Sequence, residues 1–556
     1  MNRKYKNRLP LCTVVLTVLI TVMSMQGMAK EKTPVTFTAF FATPGIELTD
    51  DNEIQKIIAE KTGVIVNETW LSGQTAAEAI GTIIASGEYP DFINGVDAMY
   101  PLYEAEALVA WDDYIENYPN IRDYYTEEEW KKFRQEDGHI YWMNPFQNVH
   151  GEEKTTTHND EAVWIQTRVL KWAGYPKIET YEQYFTLLDA YMKANPVMEN
   201  GLENIPYTIL CDDWRYFCLE NAPQFLAGYP NDGSVIVEPE SVEVLDFNVT
   251  ETAKRYFQIL NEQYHAGNVD PESFTQTYDE YIAKLSSGRV LGMIDQWWNF
   301  AYTVNDALKH LGLDTQGCNY VPLGLTIDPG MENQWHTPGK TINTSNGIAI
   351  TKDCENIEMA FAFIDALLSQ ELYNLRFWGI EGTDYCINEN GLFYRTPEQR
   401  MRTTNSEYKA SHMCYYSYFP QWHGTSCDGI NAMQPLEQPS EFLDSLSVDV
   451  RECFEAYGVS NYVEMLASVD KTGPWFPMYS YSNTLTTETP GGVAWKRMVE
   501  VKQEWLPIVV MAEDFEAAWE AYLQAYQKCH PQDFMEQMQL ELERRMALVE
   551  NGEKNG

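Results

Sequence analysis

The stretch Asp295-Gln296-Trp297-Trp298-Asn299-Phe300 sets two adjacent indoles among an acid and two amides. Neighbouring residues point to opposite faces of a strand and diverge by about 100° on a helix. One core therefore does not take both rings, and one of the two is expected to serve as a platform. Similar mixtures recur in "CDDWRYF", which holds Trp214 and Tyr216, in "CYYSYFPQWHG", which holds Trp422, and in "GPWFPMYSYSN", which holds Trp475. An aromatic face is an apolar plate with an electron-rich surface. The axial C–H face of a sugar ring suits such a plate, and its hydroxyls suit Asp, Asn, Gln, Arg or indole N–H partners. Plates with a few placed polar groups are also the general small-molecule pattern. The candidate binding residues from these clusters are Trp214, Tyr216, Asp295, Trp297, Trp298, Asn299 and Trp422.

Catalytic signatures are missing. The sequence has no GxxxxGK[ST] loop, no GxGxxG after a strand, no HExxH and no GxSxG. The nine histidines are scattered without metal spacing. Carboxylates are too many for any one pair to stand out as a glycosidase couple. The expectation is a non-enzyme without metal or cofactor.

The elements that position these residues begin with an alternating strand, "VTFTAFFA". A helix carrying Ile54, Ile57 and Ile58 follows and stops at Gly63. "VIVNETW" reads as a second strand, "TAAEAIGTIIASGEYP" as a second helix and "DFING" as a third strand. This alternation predicts a parallel α/β sheet, whose ligands sit at the carboxyl ends of the strands. Phe40, Phe41, Trp70 and the loop from Asn94 to Asp97 fall on that edge. The middle and the end of the chain are mainly helical, apart from a short strand before the helix of "ENIEMAFAFIDALLS".

A length of 556 residues calls for two or three lobes. No linker is marked by composition, which fits lobes joined by several chain crossings. The net charge of −43 repels nucleic acid and anionic membrane surfaces. A positive start (Arg3, Lys4, Lys6, Arg8), an apolar run from Leu11 to Met23 and small residues at Gly27 and Ala29 read as a signal peptide over residues 1–29, hence export. Cys12 lies inside it. Nine cysteines remain, an odd number, with Cys211 and Cys218 a candidate disulfide.

Several segments, in order, resemble the extracellular solute-binding proteins of ABC importers, in the large oligosaccharide-binding branch that includes alginate-binding members. They are "IASGEYPDFI", "VWIQTRVLKWAGYPKIETYEQYFTLLDAY", "LSSGRVLGM", "FWGIEGTDYCINENGLFYRT" and "EDFEAAWEAYLQAY". The resemblance implies an α/β periplasmic-binding-protein type II fold, two lobes closing over ligand like a flytrap. The N-terminal α/β lobe would comprise 30–155 and about 305–375. The helix-rich C-terminal lobe would comprise about 156–304 and 376–556. The implied partners are a carbohydrate, read as an oligosaccharide, and the importer's permease subunits, with the protein a monomer. Glu381 and Asp384, in the fourth segment, would position the cleft or belong to a hinge element.

The sequence departs from the family twice. No cysteine stands near Ala29, so a lipid anchor is not expected. Pro196, Val197 and Met198 replace oxygen donors in the stretch that resembles a calcium loop, although Glu199, Asn200 and Glu203 remain. Two alternatives stay open: a binder of a non-sugar solute such as a peptide, and a secreted polysaccharide-degrading enzyme.

Overall fold

The structure is a computed structural model and describes residues 33–148, 158–232, 234–337, 342–426, 429–466, 473 and 475–553. The expected signal segment, Cys12 and the asymmetry of the cysteine count that depends on them lie outside these residues.

The alternating Val35–Phe41 strand buries Phe37, Ala39 and Phe41 and turns the residues between them outward. It lies parallel to Val64–Trp70 on one side and to Phe92–Asn94 on the other. Both intervening helices have matching start and stop signals. Asn52 and Thr75 accept backbone N–H groups at the starts, Thr75 in a reciprocal capping box with Glu78. Gly63 and Gly87 close the ends at φ of 73° and 68°, where a side chain would be strained. The sheet is not wholly parallel as the alternation predicted. Ile348–Ile350 enters it antiparallel, between Phe92–Asn94 and Trp142–Met143. That strand arrives from a distant part of the sequence, so local alternation carries no signal of it.

A second sheet is antiparallel throughout, in the order Tyr320–Leu323, Glu161–Gln166, Gly292–Gln296. All six residues of its central strand are buried. Helices surround it, among them Tyr181–Ala194, Glu251–His265, Trp297–His310 and the C-terminal group from Pro490 onward.

Two large hydrophobic cores result. The first joins residues of 37–143 with residues of 348–372 and 413–419. The second joins residues of 162–335 with residues of 442–542. The chain thus passes between cores in the stretches 144–161 and 336–347, and again after 419. The segment from Leu308 to Trp335, expected with the N-terminal lobe, contributes to the second core, because Tyr320–Leu323 pairs with Glu161–Gln166. Met413, Cys414, Tyr416 and Phe419, expected with the C-terminal lobe, fill the first core. Cys211 and Cys218 are both free thiols, which removes the candidate disulfide. Among the described residues no helix is long and apolar enough to cross a membrane.

Candidate functional site

The double tryptophan opens the Trp297–His310 helix directly after a strand. The two indoles diverge as the helical angle requires. Trp297 is only 5% exposed and packs in the second core against Trp164, Phe300 and Tyr462, with ring centroids 4.8 to 5.9 Å away. Trp298 is half-buried. It lies nearly parallel to Trp214, 5.7 Å between centroids and 13° between planes, with Phe217 at 6.2 Å. Its N–H donates to Gln296 Oε1.

Asp295 is fully buried and satisfied from within. Its carboxylate accepts from Tyr281 Oη at 2.8 Å, from Asn299 Nδ2 at 2.9 and 3.1 Å and from the Gln296 backbone N–H at 2.7 Å. Burial pushes its pKa up to about 6, against the pull of those hydrogen bonds. Asn299 is buried too, and it relays this node outward. Its Oδ1 accepts from Arg215 Nε at 3.0 Å, and its carbonyl accepts from Tyr278 Oη at 2.7 Å. The Arg215 guanidinium is held between two rings, 4.0 Å from the Tyr278 centroid and 4.4 Å from that of Trp214. Burial raises the Tyr278 phenol to about 12, with Arg215 opposing the shift.

The first core presents a second aromatic group. Trp70, the last residue of its strand, is half-buried, 4.9 Å from Phe41 and 5.8 Å from Tyr418. Its indole lies across Gly45, where a Cβ would come within 2.1 Å of the ring. Only glycine permits that approach. Phe41 is fully buried behind it. Burial raises the Tyr418 pKa, while a bond from Thr43 and the charge of Arg215, on the opposite core, pull it down. Tyr278 and Tyr418 likewise feel one another.

The indole N–H groups of Trp70 and Trp214 are buried and lack a hydrogen-bond partner, as do those of the core residues Trp111 and Trp297, a condition that costs about 1–3 kcal/mol each unless something meets them. Asp213, next to Trp214, and Tyr416, two residues before Tyr418, take left-handed φ of 53° and 45°, as Glu106, Tyr175, Val242 and His530 do away from these rings.

The remaining residues read from the sequence lie elsewhere. Tyr216 is buried and donates to the carbonyls of Lys502 and Gln503. Trp422 backs the first core, 4.5 Å from Tyr124, with its backbone held by Tyr373 Oη. Trp475, from the fourth aromatic cluster, is buried in the second core. Asp384 is fully buried, accepting from the Ile380 N–H, from Tyr408 Oη and from His412 Nε2. Glu381 is exposed on the adjacent turn. That segment builds a small cluster of its own from Trp378, Tyr385 and Phe393. The loop that resembles a calcium loop closes as a tight turn, Val197 bridged to Glu203, with Met198 buried. Arg215, Tyr278 and Tyr418 were not singled out from the sequence. Two of them sit inside the quoted aromatic clusters, but nothing in their spacing separates a plate from its support.

Two cores, each with a sheet flanked by helices, and a chain that crosses repeatedly between them define the class. This is the fold of the solute-binding proteins of ABC transporters, as the ordered segments implied. No family model and no curated protein matches the sequence. Among solved structures, the chain is similar to the alginate-binding protein AlgQ2 in its calcium-free form, at 15% identity, over 92% of this chain and 98% of that one, with a TM-score of 0.63. It is similar to the ABC-transporter substrate-binding protein FusA of S. pneumoniae bound to fructo-nystose, at 17% identity, over 92% and 100% of the two chains, with a TM-score of 0.63. An HMO-binding, ABC-transporter-associated solute-binding protein from Bifidobacterium longum infantis matches at 13% identity, over 92% and 98%, with a TM-score of 0.58.

Proposed function

We propose that this protein is exported, captures a carbohydrate between two lobes and hands it to the permease of an ABC importer without chemical change. The observation that carries this reading is the pair of half-buried tryptophans, Trp70 against the first core and Trp214 stacked on Trp298 at the start of a second-core helix. Each offers a plate for the C–H face of a sugar ring. Arg215, fixed by Asn299 and flanked by Tyr278, adds donors between them. Several plates along one cleft suit an oligosaccharide better than a single sugar. The structural relatives that bind glycans lend further support. In this reading the lobes are 33–148 with 342 to about 423, and 158–337 with about 439–553, and the crossings between them form the hinge. The protein acts as a monomer.

The test is calorimetric titration of the purified chain with fructo-, milk-type and alginate oligosaccharides, with peptides and polyamines alongside, followed by chromatography of the recovered ligand. Saturable binding of one glycan class, with the glycan recovered intact, is the expected result. At a hundredfold its dissociation constant that glycan adds about 2.7 kcal/mol to folding stability. Binding of peptides or polyamines alone would overturn the carbohydrate reading. Shortened glycan in the recovered pool would overturn the non-enzymatic one.

A further inference from the structure

Far apart in sequence, His158 and His336 meet where two crossings enter the second core. His158 stands just before the Glu161–Gln166 strand, and His336 just after Trp335, which stacks on Phe225 at 4.1 Å. Both imidazoles are buried, at 0% and 4% exposure. Their Nδ1 atoms lie 3.0 Å apart. On the other side of its ring, His158 Nε2 is 2.9 Å from the Glu161 carbonyl. A carbonyl only accepts, so Nε2 carries the hydrogen and Nδ1 of His158 keeps its lone pair toward His336. The Asp160 carboxylate closes the group. One ligand atom from each of the three residues lies within 4.8 Å of the others.

We propose that His158, Asp160 and His336 form a divalent-metal site of the zinc class that clasps these two crossings. Two imidazole nitrogens and one carboxylate are a donor set for zinc and related transition metals, whereas calcium and magnesium take oxygen. Zinc bonds to nitrogen at about 2.0–2.1 Å, so two ligands of a tetrahedral ion stand roughly 3.3 Å apart. The two Nδ1 atoms need to part by only a few tenths of an ångström. The bond from Nε2 to a backbone carbonyl is the support that fixes a metal-binding histidine in its tautomer. Asp160 is exposed, which leaves the ion a path in and a coordination position open to water. The site is distinct from the stretch that resembles a calcium loop, and it does not depend on the carbohydrate reading.

Its position has a consequence. The Asp160 carbonyl accepts the backbone N–H of Trp297 at 3.2 Å, at the start of the helix that carries Trp298. An ion on Asp160 therefore fixes that helix start to both crossings.

The experiment titrates the chelator-treated full chain with Zn2+ against a chromophoric competitor, and records the visible spectrum with Co2+. One equivalent bound, with cobalt d–d bands and no thiolate charge-transfer band, is the expected result. His336→Gln and Asp160→Asn each weaken binding by about tenfold or more. Asp160 is exposed, so its variant keeps the test sound if a buried histidine variant fails to fold. The proposal is overturned if no ion binds, if both variants bind as the parent does, if a thiolate band appears, or if binding follows His139→Gln, which removes a separate, exposed histidine–aspartate contact with Asp112. The first of these outcomes leaves a plain hydrogen bond between two neutral imidazoles.

Discussion

At the scale of single residues, the adjacent tryptophans part company. Trp297 fills the second core, so Trp297→Ala removes a buried ring and leaves a cavity, at a cost of about 3–5 kcal/mol in unfolding free energy. Trp298 and Trp214 form a half-buried stacked pair. Trp214→Ala and Trp70→Ala are expected to weaken glycan binding by about 1–3 kcal/mol each, by analogy with other stacking platforms, with much smaller effects on the melting temperature. Calorimetry and thermal unfolding of the three variants separate the roles. If Trp214→Ala and Trp70→Ala bind like the parent chain, the plates lie elsewhere. A second residue-scale expectation concerns Glu68, two residues before Trp70 on the same strand. Burial raises its pKa to about 8, with Arg376 opposing the shift. A carboxyl raised on folding contributes stability that is fully present below its unfolded pKa of about 4.5 and is lost as pH climbs through about 8. The parent chain therefore sheds stability across that window through this group, and Glu68→Gln flattens the fall. Melting temperatures of the two proteins between pH 5 and 9 check it, and parallel curves would refute it.

At the scale of elements, one helix pair links residues of the two parts of the chain, alongside the Arg400 pairs with Glu441 and Asp444. Asp306, on the Trp297–His310 helix, forms an ion pair with Lys409, on Ser406–Ser411, while His310 of the first helix meets Thr404 next to the second. The charged pair is mostly buried, with side-chain exposures of 20% and 24%. Removing one partner strands the other, so Lys409→Gln is expected to lower stability by about 1–3 kcal/mol, and Asp306→Asn in the same chain to restore much of it. A double-mutant cycle by denaturant unfolding measures this, and additive effects would mean that the pair does not couple the elements. The strand–helix–strand–helix–strand start was visible because periodicity, caps and glycine stops are all local. The Ile348–Ile350 strand was visible as a strand, but its place in the first sheet was not. Its partners, Phe92–Asn94 and Trp142–Met143, lie more than 200 residues away, and no propensity encodes a pairing at that distance.

At the scale of the whole molecule, charge sets the expectations. A net charge of −43 makes the field around the chain strongly negative. A neutral oligosaccharide has no charge for salt to screen, so its dissociation constant should move by less than about threefold between low and physiological ionic strength, whereas a polyamine would lose affinity steeply. Titrations at two salt concentrations check this, and a steep salt dependence for a neutral glycan would contradict it.

By itself, the sequence determined the α/β start, the two-core scale of the chain, the aromatic endowment and the likeness to solute-binding proteins, because these follow from periodicity, length, composition and ordered local segments. It did not determine which aromatic rings fill a core and which stay half-buried. Trp297 and Trp298 are chemically identical neighbours, and only the direction of the helix they open makes one core and the other surface. The Asp295–Asn299–Arg215 relay was equally hidden, since polar residues beside tryptophan read as ligand donors until the fold turns them inward. Core membership was hidden for a similar reason: Leu308 to Trp335 contributes to the second core, and Tyr320–Leu323 within it pairs with Glu161–Gln166. The meeting of His158 with His336 depends on two crossings ending side by side, a juxtaposition made by tertiary packing alone.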